Sequence, residues 1–129
     1  LSSSGGSFRI IQEAPLKQFQ LFTSQYALDE VVRNLKAKYP AYLNNLVFLF
    51  LLSGIQILND APKKATAKAM QFIDFKDAPI LATALRSRMN IIVTLDQKHF
   101  FTPILKQSSL PLVIATPSDF IKKYFKRID

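Results

Sequence analysis

Asp96 and Asp77 stand at positions where a carboxylate could bind a metal ion. Asp96 directly follows the apolar run of residues 91–95, which is typical of a strand, and ligands of open parallel sheets bind at the carboxyl ends of strands. Its hard oxygens suit a divalent cation, although a turn residue that bonds its own backbone fits the same position. Asp77 begins the preceding helix, where an N-cap role alone would stabilise the helix by about 1 kcal/mol. Asp74, three residues earlier, fits a solvated turn residue.

Glu30 is a third acidic candidate, in the helix that follows the first apparent strand. A helical wheel places it opposite the apolar stripe of Leu28, Val31 and Leu35. On that face a surface ion pair with Arg33 would contribute only about 0.3 kcal/mol to stability. The wheel alone does not select Glu30 as a metal ligand.

Other catalytic chemistries find less support in the residue types. The only histidine, His99, lies three residues after Asp96, but no serine occupies a nucleophile elbow, so the sequence does not favour a hydrolase triad. Residues 2–7 lack the lysine and glycine spacing of a phosphate-binding P-loop. The sequence has no cysteine, which excludes disulfides, thiolate metal sites and a cysteine nucleophile.

The composition favours a globular domain and is compatible with a polyanionic partner. A chain of 129 residues predicts a single domain, residues 1–129, that buries about two-thirds of its unfolded surface. Its 17 basic and 9 acidic residues give a net charge of +8, which suggests nucleic acid, although a solvated positive surface would have the same charge. The longest apolar run, residues 46–52, falls short of the roughly 20 residues that cross a bilayer and predicts a buried helix. We expect no membrane partner, no signal peptide and a cytoplasmic location.

The elements that position these acids alternate between helix and strand. After a loop at residues 1–7, the patterns predict helices at residues 8–16, 24–38, 42–52, 65–70, from 77 and from 117, and strands at 19–23, 55–58, 91–95 and 112–115. Alternation of this kind is typical of an α/β fold with a mostly parallel sheet and helices on both faces. We therefore expect a three-layer α/β/α domain with a sheet of about four to five strands.

Four segments resemble the PIN-domain family. Residues 74–85, DFKDAPILATAL, are similar to the family's third-acid helix, and residues 90–96, NIIVTLD, to the strand that ends in its fourth acid. Residues 23–31, TSQYALDEV, resemble the segment that holds the family's glutamate. Residues 114–120, IATPSDF, resemble the ending of a bacterial subgroup of toxin nucleases. The resemblance covers essentially the whole chain.

This resemblance implies a metal-dependent endoribonuclease. Carried over by position, Glu30, Asp77 and Asp96 would bind Mg²⁺ or Mn²⁺, and Thr94 would be the hydroxyl residue that supports the site. The metal would activate water for attack on an RNA phosphodiester. The subgroup further implies the toxin of a toxin–antitoxin pair, and apolar helix surface around residues 42–52 could bind an antitoxin protein or a second copy of the chain.

The sequence departs from the family pattern in two places. Residues 1–7 correspond to the loop after the family's first strand, so we expect that central strand and its aspartate to be absent from this chain. Leu95 stands where many relatives have glycine, and its side chain could narrow the approach to the metal. These departures leave open a catalytically inactive module that binds RNA or protein. A third alternative is an unrelated doubly wound domain in which the acids are only caps and turns.

Overall fold

The computed structural model describes residues 6–125, and the chain divides into two compact units, Leu1–Asp60 and Ala61–Asp129. The described elements are mixed helices and parallel strands, as expected for an α/β fold. The strands are short, with three residues each. Helices supply most of the regular structure in both units.

In residues 6–60, its described part, the first unit contains three helices, two strands and two short 3-10 turns. Its α2 helix begins where the Ser24 side chain accepts a hydrogen bond from the Ala27 N–H and Asp60 Oδ1 accepts one from the Tyr26 N–H, so two of the helix's unpaired amides are satisfied. Gly54 ends α3 with a φ of +70°, a conformation that favours glycine. The elements are α1 (Gly6–Glu13), a 3-10 turn (Pro15–Lys17), β1 (Phe22–Ser24), α2 (Gln25–Lys38), a 3-10 turn (Pro40–Tyr42), α3 (Leu43–Ser53) and β2 (Gln56–Leu58).

The α3 helix is present as predicted, but the prediction that it is buried is wrong. Within it only Leu46 is buried, whereas Phe48, Leu51 and Leu52 are exposed, the last by 85%. Hydrophobic residues occur all round this helix, which usually indicates a buried one. Burial depends on a packing partner, however, and that partner is not encoded in the helix's own composition.

Up to residue 125, the second unit contains five helices and two strands. Its core lies between helices and strands that are distant in sequence. The α4 helix packs against α5, and the buried cluster there includes Ala78 and Leu81, which have no exposed surface. Thr83 is also buried, and its hydroxyl accepts a hydrogen bond from the Ala61 N–H. The elements are α4 (Lys63–Ala69), α5 (Ala78–Arg86), β3 (Ile91–Val93), α6 (Gln97–Phe100), α7 (Pro103–Gln107), β4 (Val113–Ala115) and α8 (Pro117–Tyr124).

The strands form two parallel pairs rather than the single sheet of four to five strands that the sequence predicted. β1 pairs with β2, with Thr23 opposite Ile57, and β3 pairs with β4, with Ile92 opposite Ile114. Among residues 6–125, no strand joins the two pairs into one sheet. Strand pairing is a long-range choice that local periodicity does not encode, which is why the number of strands was predicted better than their arrangement.

Most predicted elements are present with shifted bounds, and two were missed. The short helices α6 and α7 follow β3, where the sequence predicted no regular structure. Gly6 and Ser7, predicted as loop, are helical. The apolar pattern missed them because its first apolar position comes after them in the helix. The rest of the predicted loop lies outside the described residues. The helix predicted from residue 117 is α8, and the sequence beyond residue 125 lies outside the described residues as well. In the described part of the chain, no helix has the length and apolarity needed to span a membrane.

The buried position of Leu81 predicts a large stability effect. Leu81→Ala should lower the free energy of unfolding by about 2–5 kcal/mol, because it removes buried methyl groups and leaves a cavity between α4 and α5. Leu95→Ala, the same substitution at a residue that is 76% exposed, should change it by less than about 0.5 kcal/mol. Denaturant unfolding followed by circular dichroism measures both; equal effects would contradict this description of the core.

Candidate metal centre

Three potential ligand atoms converge in the second unit. One carboxylate oxygen of Asp74, one of Asp77 and one ring nitrogen of His99 all lie within 4.8 Å of one another. The Asp77 side chain is 15% exposed, less than those of His99 and Asp96. Carboxylate oxygens and imidazole nitrogens are common metal ligands in proteins. This arrangement can therefore hold a cation.

A turn before α5 brings the two aspartates together. The Asp77 N–H donates to the Asp74 carbonyl at 3.0 Å, and the Ala78 N–H donates to the same oxygen at 2.9 Å. Asp77 occupies the N-cap position of α5, as the sequence predicted, but its carboxylate makes no capping hydrogen bond there. The simpler interpretation, in which Asp77 serves only as a cap, therefore lacks its expected contact. Its carboxylate lies instead near His99.

Asp96 is positioned by the turn that follows β3. Thr94 Oγ1 accepts a hydrogen bond from the Asp96 N–H at 3.0 Å, and the Thr94 N–H donates to the Ala115 carbonyl of β4 at 3.0 Å. The Asp96 carboxylate in turn caps α6, because its Oδ1 accepts from the His99 N–H at 3.1 Å. Asp96 therefore has the local capping role that the sequence left open. It also contacts the ring of His99, which is one of the three converging ligands.

The imidazole of His99 lies between two carboxylates. Its Nδ1 is 2.9 Å from Asp96 Oδ2 and 3.6 Å from Asp77 Oδ2. Nδ1 is the ring atom that faces both carboxylates, and the tautomer of the ring determines whether it donates a hydrogen bond to them or offers its lone pair to a cation. The ring connects Asp96 to the cluster of Asp74 and Asp77, and all four side chains belong to one local group.

The His99 contacts also affect the acidity of Asp96. Burial raises the pKa of the Asp96 carboxyl, but the hydrogen bonds from the side chain and backbone of His99, with the positive charges of His99 and Lys98, outweigh it and lower the pKa below its ordinary value. Asp96 consequently stays ionised to lower pH than an isolated aspartate. An ionised carboxylate is the form that binds a cation.

Glu30, the third predicted ligand, belongs to the other compact unit, Leu1–Asp60. It is half-buried on α2, whereas Val31, which the helical wheel assigned to the inward stripe, is exposed. The described residues show no ion pair between Glu30 and Arg33. The role of Glu30 as a ligand stays a prediction.

Two members of the cluster, Asp74 and His99, were not predicted as ligands from the sequence. Asp74 was assigned to a solvated turn, and His99 was considered only for a hydrolase triad. Both lie three residues from a predicted ligand, Asp77 or Asp96. In a helical turn, residues three apart lie side by side, so this spacing was the signal that could have found them.

A comparison with known protein families identifies the family of this chain. A family model described as a PIN domain matches residues 1–98 of the 129-residue chain. The chain belongs to the PIN-domain family. Neither the curated proteins nor the solved structures contain a match.

PIN domains are generally nucleases, and the match spans the segments on which the resemblance rested. It includes Glu30, Asp77, Thr94 and Asp96, so all the predicted site residues lie within the PIN-domain range. It ends before residues 114–120, the segment that resembles the toxin subgroup. The family is thereby established, whereas the subgroup stays a prediction.

Replacing His99 should change the titration of Asp96. In His99→Ala the Asp96 pKa should rise toward the ordinary aspartate value, because the strongest lowering contacts are lost. Lys98→Ala removes only the weakest of these contacts and should raise it less. Carbon-detected NMR titration of the Asp96 carboxyl measures both shifts.

The sign of the stability change follows from the lowered pKa. The His99–Asp96 contact stabilises the fold above the ordinary aspartate pKa, and this contribution disappears as pH falls through the lowered value. An Asp96 pKa that stays equally low in His99→Ala would contradict the assignment.

The Thr94 hydroxyl should be needed to hold the turn at Asp96. Thr94→Val keeps the shape of the side chain but leaves the Asp96 N–H without its acceptor, and should lower the free energy of unfolding by about 1 kcal/mol. Thr94→Ser keeps the hydroxyl and should retain most of that stability. Unfolding curves of the two variants measure the difference; a larger loss in Thr94→Ser would contradict this role for the hydroxyl.

Proposed function

We propose that this PIN-domain protein is a metal-dependent endoribonuclease. The observation that carries the proposal is the convergence of Asp74, Asp77 and His99, with Asp96 held against His99, in a chain of a generally nucleolytic family. Phosphodiester cleavage by metal ions requires such a group of ligands close to a basic surface. The ligands lie in the second compact unit, and the sequence of that unit is rich in basic residues.

The donor set fits a divalent cation. Carboxylates that lie close together repel one another unless a positive charge neutralises them, and hard oxygen ligands suit Mg²⁺ or Mn²⁺. Asp77 and Asp96 would hold the ion, with Glu30 as the third ligand that the family resemblance implies and Thr94 supporting Asp96. When bound, such an ion supplies a more acidic water as nucleophile and stabilises the charge that develops on the phosphate.

The distribution of charge supports RNA as the substrate. Twelve of the 17 basic residues lie at positions 61–129, with five of the nine acidic ones, so most of the net charge of +8 belongs to the unit that holds the cluster. Lys76 and Lys98 are exposed neighbours of Asp77 and His99 in sequence. Lysine and arginine contacts to phosphates supply most of the affinity for a nucleic-acid backbone. A cytoplasmic location is part of the proposal, since RNA is the substrate.

The proposal also includes a protein partner. The exposed apolar residues of α3, among them Phe48, Leu51 and Leu52, support binding of an antitoxin protein, with a second copy of the chain as the other candidate. Large apolar side chains exposed together are a frequent mark of protein interfaces. The toxin role itself rests on the resemblance of residues 114–120.

Cleavage of labelled single-stranded RNA in the presence of Mg²⁺ or Mn²⁺ tests the proposed activity. Asp77→Asn, Asp96→Asn and Glu30→Gln should each lower the rate by about 100-fold or more, because each removes a ligand charge. Asp119→Asn makes the same change at an exposed aspartate of α8 and should leave the rate unchanged. Excess EDTA should abolish cleavage by the unmodified chain.

Other outcomes of the same assay would exclude the proposal. Cleavage that persists in EDTA, or that survives Asp96→Asn, is incompatible with these ligands. Salt-sensitive RNA binding without any cleavage would instead indicate the catalytically inactive RNA-binding module.

A further inference from the structure

The imidazole of His99 occupies a position that carboxylate ligands alone do not explain. Asp96 could be capped and held by backbone groups, yet an aromatic nitrogen lies 2.9 Å from its Oδ2 and 3.6 Å from Asp77 Oδ2. A ring nitrogen of the same residue also lies within 4.8 Å of an oxygen of Asp74. Three carboxylates thus surround one nitrogen-bearing ring.

We propose that His99 is a nitrogen ligand of the cation in this cluster and that it makes the site prefer transition-metal ions over Mg²⁺. The inference rests on the proposed function only in that it places a cation at the same site. It adds a ligand of a different chemical class to the predicted acids. It also specifies the class of metal ion.

The distances suit shared coordination. Adjacent ligands of an octahedral ion with bonds of about 2.1 Å lie roughly 3 Å apart, and opposite ones roughly 4.2 Å. The Nδ1 contacts of 2.9 Å to Asp96 and 3.6 Å to Asp77 are close to the first value. The 4.8 Å limit for Asp74, Asp77 and His99 is slightly longer than the second. Small side-chain rotations can bring these atoms onto one ion.

Two further observations favour a ligand rather than a fixed counter-charge. The His99 backbone N–H is bound to Asp96 Oδ1, so the ring is held near the acids by a contact that does not involve its own nitrogens. The His99 side chain is also 39% exposed, so an ion can reach it from solvent. A preorganised and accessible donor is what a metal site requires.

A nitrogen ligand changes which ion is favoured. Mg²⁺ prefers oxygen ligands and retains its waters, whereas imidazole suits later first-row metals, and affinity for a mixed site increases from Mn²⁺ to Co²⁺ and Ni²⁺. A site of carboxylates and His99 should therefore bind Co²⁺ more tightly than Mn²⁺, and Mn²⁺ more tightly than Mg²⁺. Removal of His99 should reduce this difference.

Calorimetric titration of the whole chain with Mg²⁺, Mn²⁺ and Co²⁺ tests the proposal. The unmodified protein should bind Co²⁺ at least about ten-fold more tightly than Mg²⁺. His99→Ala should lower Co²⁺ affinity by about ten-fold or more and change Mg²⁺ affinity by less than about three-fold. His99→Asn, which offers an amide oxygen instead of Nδ1, should retain Mg²⁺ binding without restoring the preference for Co²⁺. Lys106→Ala, which removes an exposed lysine of α7, should bind all three ions as the unmodified chain does.

A second measurement needs no variant and so avoids any dependence on folding of His99→Ala. In the unmodified chain with ¹⁵N-labelled histidine, Co²⁺ should produce large paramagnetic shifts of the His99 ring nitrogens at one equivalent. His99 is the chain's only histidine, so the assignment is unambiguous. Ring signals that Co²⁺ leaves in place would overturn the proposal.

If His99→Ala changed the affinities for Mg²⁺ and Co²⁺ equally, in either direction, the proposal would also be overturned. Equal changes would mean that His99 acts only through its charge and not as a ligand. Absence of binding by all three ions would do the same. The failure of the two proposals is distinguishable: Co²⁺ binding through His99 without RNA cleavage would exclude only the nuclease, and Mg²⁺-dependent cleavage with unchanged metal preference in His99→Ala would exclude only the nitrogen ligand.

Discussion

Repulsion between neighbouring carboxylates is the physical constraint on which the proposed site depends. Asp74 and Asp77 each place an oxygen within 4.8 Å of a His99 nitrogen, and Asp96 lies against the same ring. Like charges at such distances disfavour ionisation unless a positive group or a cation lies between them. A cation shared by these side chains would meet this requirement, and the hydrogen bonds of His99 already lower the pKa of Asp96. These contacts therefore keep Asp96 in the ionised form that a divalent ion binds.

Short-range backbone contacts and a small core hold this charged group in place. The turn between Asp74 and Asp77 leads into α5, whose inner face, including Leu81, is buried against α4. On the other side, Thr94 connects the Asp96 turn to β4 through its backbone and to Asp96 through its hydroxyl. Asp77 thus stands at the start of a packed helix, and Asp96 follows a paired strand. Such elements fix the position of a side chain better than a loop would. The surrounding sequence is basic, as a polyanionic substrate requires.

The sequence predicted the parts of this arrangement that depend on local signals. Pro79 and the apolar periodicity after it located α5 and placed Asp77 at its start, and the run before Asp96 located β3. The sequence did not predict His99 and Asp74 as ligands, because their role depends on two turns that lie side by side in space. The burial predicted for α3 was wrong because apolar composition does not specify a packing partner. Local periodicity located the strands but not their partners, because the pairing of β1 with β2 and of β3 with β4 joins segments more than twenty residues apart. The family match supports the nuclease class, whereas the individual ligands depend on geometry.

The central claim is that residues from the starts of α5 and α6 share one cation. Anomalous scattering from crystals of the protein soaked in Mn²⁺ tests it most directly, because the ion is located independently of any activity. We expect a single strong anomalous peak within coordinating distance of Asp77 and His99 side-chain atoms. A peak elsewhere, or none while His99 keeps its present contact with Asp96, would contradict it.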